Sequence, residues 1–206
     1  MARPAVNHEN KKKELLAVAE MLFLDKGYEL TSIDDILKQS GISKGGFYHY
    51  FKSKDEVLSE SINSLIDEVL AILQKVVDDE KLGALDKFKL FLTEKSKFQS
   101  SKKEYAKLLG ALMQTDVAQF IYYVTISRKM VPPLAQIIRQ GKCEGIFDVE
   151  FPEETADILT RIISSVVQSA TYFEYLNDAE KHKRYVSSVE TVISRTLGLK
   201  EKIKLY

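Results

Sequence analysis

The sequence predicts an all-α protein of about nine helices, with a small three-helix head at the N-terminus and a larger helical domain behind it. Two observations carry this. Apolar residues recur at three- and four-residue spacing through nearly the whole chain, and no segment sustains the two-residue alternation of a strand. Hydroxyl residues followed three positions later by a carboxylate, and glycines just beyond apolar stripes, stand where helices should begin and end. With 206 residues, 45% of them apolar and 29% charged, the chain is long and apolar enough to bury a core.

The first helix is expected over 10–26, with Leu15, Leu16, Ala19, Leu22 and Phe23 facing inward and Gly27 closing it in a left-handed cap. Lys11, Lys12 and Lys13 open it, where positive charge opposes the helix dipole; they suit either a solvated end or phosphate contacts. Thr31-Ser32-Ile33-Asp34-Asp35 carries the capping-box pattern and starts a second helix, which turns Ile33, Ile36 and Leu37 inward and stops at Ser40-Gly41. Ser43 caps a short third helix with Phe47, Tyr50 and Phe51 on its core side. Ser53-Lys54-Asp55-Glu56 opens a long fourth helix striped by Leu58, Ile62, Leu65 and Val69. Further helices are expected over 84–99, 102–114 and 117–141, the last interrupted or kinked at Pro132-Pro133. After a turn at Gly141–Gly145, a helix over 152–176 begins at Pro152-Glu153-Glu154, and a final one, capped by Asn177-Asp178, ends at Gly198.

Lysine plus arginine equals aspartate plus glutamate at 30 each, so no global positive field marks a nucleic-acid partner and any such sign must be local. Cys143 is the single cysteine, which excludes an internal disulfide and a multi-cysteine zinc site; without a resolving cysteine it reads as an incidental small hydrophobe. The N-terminal residues lack the apolar core of a signal peptide, and no apolar run is long enough to span a bilayer, so a cytoplasmic protein without a membrane segment is expected. There is no nucleophile-base pair, no metal-spaced His or Cys cluster and no phosphate-binding glycine loop, so no catalytic residue, metal site or cofactor is expected.

The local sign lies in the head. Two short helices joined by a glycine turn, the second opening Ser43-Lys44-Gly45-Gly46, are what a helix-turn-helix requires: the first braces on the DNA backbone while the second enters the major groove. Lys44, Gly45, Tyr48 and His49 face outward along the second of these, offering a cation, a small residue for close approach and two hydrogen-bonding rings; Lys54 follows directly. Amides at the helix starts near Thr31 and Ser43 can also meet phosphate oxygens. His49 could instead serve as a metal ligand or general base, but no clustered partner is apparent in the sequence.

The run from Phe23 through Lys26-Gly27-Tyr28 and Thr31-Ser32-Ile33-Asp34-Asp35-Ile36, followed by Gly41-Ile42-Ser43-Lys44-Gly45-Gly46-Phe47-Tyr48-His49-Tyr50-Phe51-Lys52-Ser53-Lys54, closely resembles the DNA-binding domain of TetR/AcrR-family transcriptional regulators. The resemblance covers the first quarter of the chain. It implies a helix-turn-helix DNA-binding domain over 1–54 and an effector-binding and dimerisation domain over 55–206. It also implies DNA contacts at Thr31, Ser32, Ser43, Lys44, Gly45, Gly46, Tyr48, His49 and Lys54, with Thr31, Tyr48, His49 and Lys54 holding phosphates. Gly46 departs from the threonine, serine or alanine common there, which removes a possible base contact.

The 152–176 segment has two apolar seams, one through Ala156, Leu159, Ile163 and Val166 and one through Ile158, Ile162, Ser165, Tyr172 and Leu176, so it must be covered on two sides. With Val186, Val189, Ile193 and Leu197 of the last helix it suits a four-helix bundle made by two subunits, the dimer interface that the resemblance implies. A two-fold dimer reads a pseudo-palindromic double-stranded operator. The resemblance further implies a chamber for a small apolar or amphipathic effector, with Phe91, Tyr105, Leu109, Met113, Phe120, Tyr123 and Tyr172 as candidate ligand contacts.

Overall fold

A computed structural model describes residues 3–101, 107, 110–111, 114–166 and 169–204. Among the described residues every regular element is an α-helix: α1 (Arg3–Lys26), α2 (Ile33–Ser40), α3 (Lys44–Tyr50), α4 (Lys54–Val77), α5 (Ala84–Ser101), α6 (Asp116–Cys143), α7 (Pro152–Val166), α8 (Ala170–Tyr175) and α9 (Ala179–Thr196). Of the helix expected over 102–114, only Lys107, Gly110 and Ala111 are described as helical. The chain divides into two compact units, Met1–Asp67 with Gln99–Thr125, and Glu68–Phe98 with Ile126–Tyr206.

The first unit is organised by its caps. Ser32 stands outside the helical region at φ −96° and ψ 160° and caps α2; its hydroxyl accepts the Asp35 amide at 3.1 Å while the Asp35 carboxylate accepts the Ser32 amide at 2.8 Å. Gly41 ends α2 at φ 67°, a left-handed geometry that costs glycine little, and its N–H reaches the Leu37 carbonyl. Ser43 caps α3 by accepting the Gly46 amide at 3.1 Å. Leu15, Ala19, Phe23, Ile36, Phe47, Phe51, Leu58 and Ile62 are buried, the inward faces expected of α1 to α4.

The second unit is stitched by side chains that close the loops between helices. Lys87 is buried and donates to the Val77 carbonyl at 2.7 Å, Gln140 donates to the Leu82 carbonyl at 3.0 Å, and Glu144 accepts the Ala84 amide at 3.0 Å. Two carbonyls of the α4–α5 connection and the first amide of α5 are thereby satisfied, as a helix end with buried neighbours requires. At the end of α6, Gly141 lies under the Phe147 ring and its carbonyl accepts the amides of both Ile146 and Phe147 at 3.0 Å.

Three expectations need correction. The first helix starts at Arg3 and not at 10, because Pro4 is tolerated in an opening turn, where its missing N–H would have had no helical partner. Pro132 and Pro133 lie inside α6 without interrupting it: Met130, Leu134, Ala135, Ile137 and Ile138 are buried around them, and that packing outweighs two lost donors. The helix expected over 152–176 is broken. Ser169 accepts the Tyr172 amide at 3.0 Å, offering the backbone an alternative to helix continuation, and α8 starts afresh behind it.

Candidate nucleic-acid interface

α3 separates two chemistries within seven residues. Phe47 is sealed in the first unit's core beside the Phe51 ring, at 6.0 Å between centroids. Lys44, Gly45, Tyr48 and His49 lie on the exposed side, as do the capping residues Ser32 and Ser43. Lys44 has no hydrogen bond or ion pair among the described residues, so its ammonium is free to meet an external anion.

Gly46 is partly exposed, and a Cβ there would sit 2.7 Å from Ile42 Cγ1. The Ile42 side chain occupies the space that a residue at 46 would use, which gives the departure from the familiar threonine or serine a packing cause. At Gly45 an added Cβ would meet nothing within 4 Å, so the lack of a side chain there answers no need of the fold.

Thr31 and Lys54 sit differently from the rest. Thr31 is only 1% exposed, its hydroxyl donates to the Gly27 carbonyl at 2.8 Å, and its amide donates to Tyr28 at 3.2 Å. Its polar hydrogens are thus spent inside the head. Lys54 Nζ donates to the Tyr28 carbonyl at 2.8 Å and lies 4.2 Å from the centre of the Tyr28 ring, so it clamps the α1–α2 loop. The Tyr28 hydroxyl donates to Asp55, and burial together with that carboxylate pushes the phenol above its ordinary range.

The α2 cap carries its own charge pairing. Lys26 lies 2.7 Å from Asp35, and this ammonium, with the Ser32 hydroxyl and amide, holds the Asp35 carboxyl well below the usual carboxylate range. A depressed carboxylate contributes stability above its unfolded pKa that is lost as pH falls through the folded one, so this contribution declines at lower pH than an unpaired carboxylate's would. Lys11 pairs with Glu14 at 2.8 Å and Lys12 with Glu60 at 3.0 Å, while Lys13 is exposed.

His8 is a neighbour that sequence reasoning missed. Its ring lies 5.1 Å from that of His49 and 4.7 Å from that of Tyr50, so the start of α1 packs against the end of α3. Tyr50, expected in the core, is instead half-exposed in this ring cluster. Among the described residues no group of three or more His, Cys, Asp or Glu is placed to hold a metal ion.

The candidate effector contacts are scattered. Tyr105, Leu109 and Met113 lie outside the described residues. Phe120, 70% exposed, and the half-buried Tyr123 belong to the first unit, whereas the buried Phe91 and the half-buried Tyr172 belong to the second. Among the described residues no helix is long and apolar enough to cross a membrane.

The family model for bacterial regulatory proteins of the tetR family matches residues 15–60, which hold the capped pair α2 and α3, and a tetracyclin repressor-like C-terminal domain model matches residues 97–185. The chain belongs to the tetR family. TetR-family members bind DNA and dimerise, and this chain is a DNA-binding transcriptional regulator. It is 26% identical to the transcriptional repressor KstR2 of Mycolicibacterium smegmatis over 159 residues, covering 75% of this chain and 74% of that one. It is 29% identical over 189 residues to the uncharacterised regulator YfiR of Bacillus subtilis, covering 83% and 86%. Among solved structures, SmeT of Stenotrophomonas maltophilia in complex with triclosan superposes with a TM-score of 0.68 at 17% identity, covering 96% of this chain and 97% of that one.

Proposed function

We propose that this tetR-family regulator is a dimeric repressor that reads a pseudo-palindromic operator through α3 and is released from it by a small apolar or amphipathic effector. The observation that carries the DNA-reading part is the division of α3, with Phe47 buried and Lys44, Gly45, Tyr48 and His49 turned outward. Ser32, Ser43 and Gly46 complete the proposed contact surface, and Lys54 and Thr31 act by holding the loop beside it. The head is the part over 1–54, and the remainder takes effector and partner.

Pairing of two subunits through α7, α8 and α9 is supported by what the second unit leaves uncovered. The seam through Ala156 and Leu159 is buried within the chain, whereas Ile158, Leu176 and Val192 are exposed. Isolated exposed apolar residues are ordinary, but Ile158 and Leu176, the latter just past the end of α8, belong to the second seam of the 152–176 segment, and Val192 lies on α9. Release follows only if the effector binds the arrangement unsuited to DNA more tightly than the arrangement suited to it.

The test is a fluorescence-anisotropy titration of duplex DNA taken from immediately upstream of the protein's own coding region, repeated over a series of salt concentrations. Specific, salt-sensitive binding is expected. Lys44→Ala should weaken binding across sequences and lower the salt slope by about 1, the mark of one lost phosphate contact. An unchanged slope would take Lys44 off the DNA. Gly45→Ala should leave thermal stability equal or raise it, by up to about 1 kcal/mol from helix propensity, yet weaken operator binding by setting a methyl between helix and groove. Equal affinity in that variant would remove Gly45 from the interface.

A further inference from the structure

A narrow cleft in the second unit, with about 10 Å³ of enclosed space, is lined by Phe91, Leu92 and Lys95 of α5, Met130 and Leu134 of α6, and Thr160 and Ile163 of α7. Its walls are apolar apart from two groups, the partly exposed Lys95 and the buried Thr160. Lys95 has no hydrogen bond and no ion pair among the described residues. Thr160 is 5% exposed, and its hydroxyl oxygen is buried without a partner. A helical threonine ordinarily donates to the carbonyl one turn back, so an idle hydroxyl on a buried wall is unusual.

We propose that this cleft binds a small, slender monocarboxylic acid, its carboxylate paired with Lys95 and hydrogen-bonded by Thr160, its chain lying on Phe91, Leu92, Met130, Leu134 and Ile163. The proposal rests on the effector reading above and gives that effector a chemical class. An ammonium among apolar side chains is costly unless an anion joins it, and a charge-assisted bond to a carboxylate supplies one. Burial lowers the Lys95 amine to a pKa of about 8, with no charge of the described residues acting on it. At neutral pH it therefore remains mostly protonated, a cation lacking its counter-ion.

The size of the cleft narrows the ligand. Its enclosed space is far below the ~300–1,000 Å³ of ordinary small-molecule pockets and has room for little more than one water, so a ligand must be slender and must open the cleft as it enters. A straight acyl chain can enter by displacing flexible side chains such as Met130, whereas a fused-ring body would have to move helices.

Isothermal titration calorimetry of the full-length protein with octanoate, and separately with 1-octanol, tests this. Octanoate should bind wild type at least about tenfold more tightly than octanol, the margin of one charge-assisted bond. Lys95→Met should bind the two alike, and Thr160→Val should lose part of the preference for the acid. Octanoate binding to wild type at pH 8 should take up protons, because the carboxylate raises the amine's pKa; the uptake is read from the heat difference between two buffers and should vanish in Lys95→Met. Affinity should fall as pH rises past 8. Equal affinity for acid and alcohol, no octanoate binding, or octanoate affinity retained in Lys95→Met would each overturn the site. The two proposals separate in the operator titration. Octanoate that binds through Lys95 yet leaves operator affinity unchanged upholds the site and sinks its role in release. Release by another compound in a protein that ignores octanoate does the opposite.

Discussion

Phe47→Ala is expected to cost about 3–5 kcal/mol of stability, the range for truncating a fully buried aromatic side chain, and to abolish specific DNA binding with it. Phe47 has no exposed surface and anchors α3, a helix too short to persist without tertiary packing. The loss is a large share of the stability of a small domain, about 5–15 kcal/mol, so the head should be strongly destabilised. Urea denaturation combined with amide hydrogen exchange over α2 and α3 would measure this. Phe47→Leu, which keeps most of the apolar volume, should recover much of the loss. A drop below about 1 kcal/mol in Phe47→Ala would mean that α3 is anchored elsewhere. The contrast with Gly45→Ala, close by on the same helix, distinguishes damage to the fold from damage to the contact surface.

Gly141→Ala should be the most damaging small substitution in the second unit. The added Cβ would fall 2.0 Å from Phe147 Cδ2 and 2.6 Å from its Cγ, so the ring itself must move. It has little room to do so: Phe147 is buried, its ring meets that of Phe88 edge-on at 6.1 Å, and its amide is bonded to Gly141. Overpacking of this kind costs about 1–3 kcal/mol or more, and alanine's better helix propensity returns at most about 1 kcal/mol. Urea midpoints for Gly141→Ala, Phe147→Ala and the double variant would check the cause. The double variant should be more stable than the sum of the single losses predicts, since a smaller side chain at 147 makes room for the methyl. Strict additivity would show that the two residues do not meet.

What was legible in the sequence was local. Ser32 with Asp35, Gly41 and Ser43 could be read directly because a cap and the groups it satisfies lie within one helical turn. The buried stripe of α4 was legible for the same reason, since its period is written along a single helix. Roles set by distant residues were not. Thr31 and Ser32 look equally suited to cap α2; only the carbonyls at the end of α1 decide that Thr31 turns inward. Lys54 reads as a free cation until the α1–α2 loop folds back under it. Nothing near His8 in the sequence points to His49. Lys95 lies in a lysine-rich stretch that reads as a solvated face, and its apolar surroundings come largely from α6 and α7, which are far along the chain.

The clamp on the α1–α2 loop leaves a practical opening. Lys54 and Thr31 hold this loop by its backbone carbonyls and through the Tyr28 ring, so the grip does not depend on the side chain at Leu30. Leu30, 76% exposed, contributes little to the core and sits two residues before the α2 cap Ser32. A fluorophore attached through Leu30→Cys, with the exposed Cys143 first replaced by serine, would ride on a rigid base beside the proposed DNA surface. Operator engagement could then be followed optically, without labelling the nucleic acid.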